Sequence, residues 1–426
     1  MQQRALTCFL LGLALSVGGL WAADSSLTAN WPQWRGPLRD GVSAEKGLLQ
    51  KWPDEGPPLA WQIKGLGKGY ASLSIADGKI FVMGQPAQES VLFALDEKDG
   101  KTLWMKTVGK KWGDGPRGTP TVDGDRVYVI GPGGELVCFA AQDGAEIWRA
   151  DFIKDFEGAL PNWAYCESPL VDGNYVIGTP NGKKATLVAF DKMTGKVAWQ
   201  SLVPDIGQQG RDGSGGYSSV VVSNGAGVKQ YVQLAGRGCV GVRADDGKFL
   251  WGYNRICNTT ANIPTPIVDG DDVFTSSGYN IGSALLKLTK ADDGVTATEI
   301  YFKSGRELQN HHGGMVKLGD YIHMGHGQSN GFPTCVEMKT GKIVWRKDRG
   351  PGSGSACIVA ADGQLFFRYE NGVMAMIEAT PKEYQLNGSF KTPNAHPPCW
   401  AHPVVHGGKL YLRDEDQLLV YNIAAK

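Results

Sequence analysis

Apolar and polar residues alternate along most of the chain in short runs rich in β-branched and aromatic side chains, which predicts strands that each bury one face. The runs are punctuated at regular intervals. DEKDGKTLW ends at Trp104, AAQDGAEIW at Trp148, DKMTGKVAW at Trp199, RADDGKFLW at Trp251 and EMKTGKIVW at Trp345. Each carries a glycine four residues before the tryptophan, at Gly100, Gly144, Gly195, Gly247 and Gly341. The Asp/Thr-Gly pairs read as tight hairpin turns, where glycine supplies the positive φ that the turn demands. A second mark, VDG or ADG, introduces another strand at Gly78, Gly124, Gly173, Gly270 and Gly363, with weaker copies at Gly225, Gly319 and Gly408. Successive spacings are 46, 49, 52, 45, 49, 44 and 45 residues. A repeat with a period in the forties, each unit reading strand–turn–strand–loop–strand–turn–strand, predicts an all-β chain: one eight-bladed β-propeller of four-stranded antiparallel blades.

The eighth unit stops at Lys426 one strand short. The missing outer strand lies at the other end, in PPLAWQI around Trp61, and would close the ring by removing an exposed sheet edge. Blades five and seven lack the tryptophan; Tyr301 and Tyr384 are expected in its slot. The tryptophans read as packing between blades. The expected organisation is a signal peptide at 1–23, an N-terminal extension at 24–58 and the propeller at 59–426.

Composition narrows the function. The 43 basic and 43 acidic residues cancel and form no basic stripe, which argues against nucleic acid as a partner. Arg4, the apolar run from Ala5 to Leu20 and the small Ala22 and Ala23 form an export signal too short and glycine-broken to span a membrane. Cys8 lies inside that run, too early for a lipid-attachment box, so a periplasmic or secreted protein is expected. Seven cysteines remain, and an odd number leaves at least one unpaired. They read either as bridges 138–166, 239–257 and 335–357 or as buried free thiols acting as small hydrophobes.

Candidate chemistry gathers on one rim. The loops between blades and in mid-blade are longer and more varied than the tight turns, and function favours such loops. His311, His312, His326, His396 and His402 map there, with Tyr217, Tyr279 and Asn280; His323 falls within a strand and His406 at the tight-turn rim. The site candidates are Trp163, Tyr165, Arg237, Arg368, Trp400 and Arg413 for ligand binding, and Glu167 and His312 for acid–base work. His312, Arg368, Arg413, Tyr165, Glu167 and Trp400 are expected to converge on one mouth of the channel, as a polar-aromatic funnel. No metal-ligand spacing or nucleophile pattern stands out, and no metal site is expected from the residues themselves. Adjacent His311 and His312 would point to opposite faces of a strand.

The aDGkxxW phrase resembles the repeats of the pyrroloquinoline-quinone (PQQ)-like propeller superfamily over residues 59–426. WPQWRGPLRDGVS, WAYCESPLVDG, HHGG and LYLRDEDQLLVYNI carry a closer likeness to exported bacterial BamB-like proteins. That resemblance implies a binding or assembly scaffold for a protein segment or small ligand at the channel mouth. The alcohol-dehydrogenase branch implies instead a PQQ-dependent oxidoreductase of an alcohol or sugar, with Ca²⁺ held by Glu, Asn and Asp. In that reading PQQ meets Arg237, Arg368 or Arg413, stacks on Trp163 or Trp400, and uses Glu167 or His312 as base. Glu167 and Asn262 are then the candidate calcium ligands, and the vicinal cysteine pair of that branch is missing.

Overall fold

The computed structural model describes residues 30–210 and 216–425; the expected signal peptide and Cys8 lie outside them. Eight antiparallel sheets follow one another along the chain. Blade 1 runs from the inner strand Leu73–Ala76 through Lys79–Gly84 and Glu89–Asp96 to the outer strand Thr102–Lys110. Blades 2 to 7 repeat this order, with inner strands at Thr121–Asp123, Leu170–Asp172, Val221–Ser223, Ile267–Asp269, Met315–Leu318 and Ala356–Ala361. Blade 8 takes three strands from Val404–Asn422, and Leu59–Lys64 supplies its outer strand, pairing Trp61 with Val420. The closure expected from Trp61 is the one observed.

The tryptophan and the glycine of the repeat serve different neighbours. The indole N–H of Trp104 donates to Gln142 O at 3.1 Å, in the tight turn of the next blade. Trp148 donates likewise to Lys192 O (3.0 Å), Trp199 to Ala244 O (3.0 Å) and Trp345 to Thr380 O (2.9 Å). In blade 5 the Tyr301 hydroxyl does the same to Met338 O at 2.7 Å, so it holds the slot as expected. The rings of Trp104, Trp148, Trp199 and Tyr301 each pack against the next blade's turn glycine. A methyl group on Gly144, Gly195, Gly247 or Gly341 would stand 2.5–2.7 Å from the ring of Trp104, Trp148, Trp199 or Tyr301. Gly100 meets Trp61 in the same way, so the seam of the ring uses the same joint. Trp251 is the exception. The long hairpin Gly282–Ser304 of blade 5 displaces the turn, and Trp251 donates to Gln230 Oε1 of its own blade at 2.6 Å.

Blade 7 corrects the sequence reading. The position opposite Met376, which matches Trp104 opposite Ala94, is Gly388. Tyr384 precedes the strand and packs edge-on to Trp345. The slot is filled from outside the blade by Trp52, whose Cβ lies 2.7 Å from where a Gly388 methyl would be and whose ring contacts Phe366 and Phe390.

Trp52 belongs to a segment that does more than precede the ring. Trp31 exchanges two 2.8 Å backbone bonds with Ile75, and Pro32 O accepts from Val122 N, both at the tight-turn ends of inner strands. The chain then runs up the channel and turns. Arg35 donates to Gly313 O at 2.7 Å and to Met315 O; Arg39 donates to Ser168 O at 2.8 Å and Pro169 O at 3.0 Å. It descends to Val42–Ser43, which adds a parallel strand to Ala360–Ala361. Residues 31–43 thus form a hairpin inside the ring, its tip at the long-loop end. Burial lowers the guanidinium pKa of Arg35 to about 10 and that of Arg39 to about 9. Their charge is met chiefly by main-chain carbonyls, as a buried cation requires.

All seven described cysteines are free, so none of the three bridges forms. They pack as small hydrophobes or donate to carbonyls, as Cys166 does to Trp163 O at 3.1 Å and Cys257 to Asn254 O at 3.0 Å.

Candidate functional site

The plug turns the long-loop mouth of the channel into a bowl of about 240 Å³ with a floor. Trp34, at the hairpin tip, is part of that floor. Its N–H donates to Thr265 Oγ1 at 3.4 Å and its ring meets the edge of His402 at 4.5 Å. The wall is assembled from the junctions between blades: Tyr70 before blade 1, Arg117 before blade 2, Trp163 before blade 3, Tyr217 before blade 4, His311 and His312 before blade 6 and Trp400 before blade 8. Tyr279 joins from the mid-blade loop of blade 5.

These side chains form a nearly continuous collar. Arg117 lies over the Tyr70 ring at 5.3 Å, Tyr70 against Trp400 at 4.9 Å, and Trp400 against His312 at 4.8 Å. His312 stacks on His311 at 3.9 Å and His311 meets Tyr279 at 5.1 Å. The two histidines lie in a loop, and this allows adjacent rings to stack where a strand would separate them. On the other side Trp163 meets Tyr217 at 5.8 Å, and Arg117 donates back to Trp163 O at 3.3 Å.

The electrostatics are muted. Arg117 is paired with Asp114 at 2.6 Å. His311 Nδ1 lies 3.0 Å from Ser355 Oγ, and its Nε2 lies 3.2 Å from Tyr279 OH and 3.0 Å from Gln328 Nε2. Burial lowers the pKa of His311, lowers that of His312 well below 6.5, and brings His402 to about 3, so all three imidazoles are neutral at pH 7. Burial also pushes the Cys166 thiol up to about 12, which makes it a poor nucleophile. No carboxylate is among the described residues that line the bowl.

The six residues expected to converge divide. His312 and Trp400 are in the wall, as is Trp163. Tyr165 is buried behind it, its hydroxyl on Pro180 O at 2.9 Å. Arg368 and Arg413, 0% and 1% exposed, are staples between blades. Arg368 donates to Ala401 O at 3.2 Å and to Arg413 O; Arg413 reaches Met83 O and, at 3.1 Å, Gly67 O across the closing seam. Arg237 lies in a separate recess with Asn181, Leu202 and Asp205. Glu167 is 4% exposed beneath the bowl, where burial raises its pKa to about 7. The residues that the sequence reading did not single out are Trp34, Tyr70 and Arg117. Trp34 and Tyr70 lie outside the repeat phrase, and only their aromatic character in a loop marked them.

A calcium ion needs free oxygens. Glu167 Oε1 accepts from Thr179 N at 2.5 Å and Oε2 from Gln233 Nε2 at 3.4 Å. Asn262 Oδ1 accepts from Asn258 N (2.9 Å), Asn258 Nδ2 (3.0 Å) and Ser277 Oγ (3.2 Å). These two residues do not fit as a calcium pair, and no cluster of three or more His, Cys, Asp or Glu suited to a metal occurs among the described residues.

Residues 88–347 match the family model for the outer membrane protein assembly factor BamB. The chain belongs to that family. BamB of Shewanella oneidensis is 22% identical over 319 residues, 72% of this chain and 70% of that protein. Quinohemoprotein alcohol dehydrogenase ADH-IIG of Pseudomonas putida is 29% identical over 155 residues, 33% of this chain but 21% of that enzyme's length. Among solved structures, BamB from Moraxella catarrhalis superposes with a TM-score of 0.60 at 14% identity, covering 86% of this chain and 100% of that one. The quinohemoprotein alcohol dehydrogenase from Comamonas testosteroni gives 0.66 at 13%, covering 95% and 82%. At such identities the structural likeness establishes the shared PQQ-like propeller fold. No helix among the described residues is long and apolar enough to cross a membrane.

Proposed function

We propose that this BamB-like propeller is exported and acts without catalysis, as a binding or assembly scaffold whose long-loop rim holds a small ligand or a protein segment. The observation that carries this reading is the bowl itself. The chain floors it with its own hairpin and walls it with aromatic rings and neutral imidazoles. The acid beneath it, Glu167, has both oxygens engaged. Affinity capture from periplasmic extract, with the protein from residue 24 onward against a Trp163→Ala, Trp400→Ala double variant, tests it. A partner or ligand lost with the collar supports the reading.

The second reading is a PQQ-dependent oxidoreductase of an alcohol or sugar. Its support is the aromatic wall at the channel mouth, with Trp163 and Trp400 as stacking faces and Arg117 the cation within reach of a carboxylate. Titration with PQQ and calcium, followed by a dye-linked dehydrogenase assay, separates the two. Turnover that Trp400→Ala abolishes would replace the scaffold reading.

A further inference from the structure

We propose that the bowl, read as above as a binding site, takes a neutral saccharide ring. Three features of the wall lead there. The first is charge. Arg117 is the one formally charged side chain among the described lining residues, and Asp114 already neutralises it. A multiply charged ligand would lose its hydration and find no counter-charge in return.

The second is shape and surface. Trp163 offers a ring that is 38% exposed, and Tyr70 and Trp400 present theirs from other junctions. The electron-rich faces of such rings attract polarised C–H groups, which a pyranose presents on its flat apolar side. A cavity of about 240 Å³ suits a ring better than a folded segment.

The third is the hydrogen-bonding that remains. Trp400 Nε1, His312 Nδ1 and His402 Nδ1 are buried without a partner, and the hydroxyls of Ser168, Ser219 and Thr265 line the same space. A hydrocarbon ligand would leave the three unpartnered nitrogens unpaired at a cost. A polyol both donates and accepts, and so suits a wall of neutral imidazoles, hydroxyls and indole N–H groups.

The test is titration of the protein with short neutral oligosaccharides of hexose and of N-acetylhexosamine, with hexuronate oligomers as anionic controls. Tryptophan fluorescence and saturation-transfer NMR are the readouts. Binding by a neutral oligosaccharide, unchanged between low and high salt, is expected. Trp163→Ala should weaken it roughly tenfold and Trp163→Phe less, the loss expected of one stacking ring. Because that ring is partly exposed, both variants should melt like the parent. Preference for the uronates with steep salt dependence overturns the proposal. So does binding by none of these sugars; if affinity capture still yields a collar-dependent protein segment, the saccharide fails alone, and if capture yields nothing, the binding-site reading fails with it.

Discussion

The joint between blades can be measured by comparing two alanine substitutions. Gly195 and Gly173 both hold tight turns at positive φ, 71° and 58°. A methyl group on Gly173 meets nothing within 4 Å, whereas one on Gly195 lies 2.6 Å from Trp148 Cδ2. Gly173→Ala therefore costs only the left-handed backbone term, about 1–2 kcal/mol. Gly195→Ala adds overpacking of a buried indole, a further 1–3 kcal/mol or so. Trp148→Ala alone should cost about 3–5 kcal/mol. In the double variant the methyl no longer strikes the ring, so the pair should fall short of the summed costs by about 1–3 kcal/mol, the coupling of touching residues. Urea unfolding followed by circular dichroism gives all four values. Equal costs for Gly195→Ala and Gly173→Ala, or an additive cycle, would show that the glycine–indole contact does not hold the blades.

Trp52→Ala should cost about 3–5 kcal/mol by emptying the blade 7 slot, while Tyr384→Ala should cost distinctly less; thermal melts compare them. A chain starting at Gly65 lacks the plug and the closing strand and should aggregate, since Gln417–Asn422 becomes an open edge; a melt like that of the parent would refute the closure. Burial lowers His323 and His326 to about 4, below the unfolded value of 6.5, so the stability tied to their neutrality is complete above pH 6.5 and drains as pH falls toward 4. His323→Leu should flatten this limb by up to about 3 kcal/mol, read from urea midpoints at pH 7 and pH 4.5. Glu167 acts in the opposite sense: with its pKa raised to about 7, its contribution is present below pH 4.5 and lost as pH climbs to 7, so Glu167→Gln should gain relative stability at pH 8 over pH 5.

The repeat was legible because each blade must bury the same faces and make the same turns, so the pattern recurs wherever the physics recurs. Tyr301 could be placed because it keeps the period; Trp52 could not, because nothing local ties it to Gly388, more than three hundred residues away. The plug was opaque for the same reason. Its side chains and backbone together answer to seven separate blades, and WPQWRGPLRD shows neither of the usual periods. The rim of the site was readable from loop length, which placed His312, Trp163 and Trp400. Depth was not. Arg368 and Arg413 end strands in consecutive blades, but only packing decides whether a long cation reaches the mouth or turns inward to carbonyls, and here it turns inward.

The hairpin in the channel also constrains how the molecule comes into being. Trp31, Arg35 and Arg39 leave the ribosome before the blades they bind, and Gln62 waits for Gln417, 355 residues later. Each early blade can pair its own strands, but the ring cannot close until the last strands exist. Closing the ring therefore waits on contacts of very large sequence separation, which makes for slow folding and a prolonged interval with open strand edges. The export proposed above would profit from this order of events, because the strand Leu59–Lys64 stays unpaired until Gln417–Asn422 has arrived.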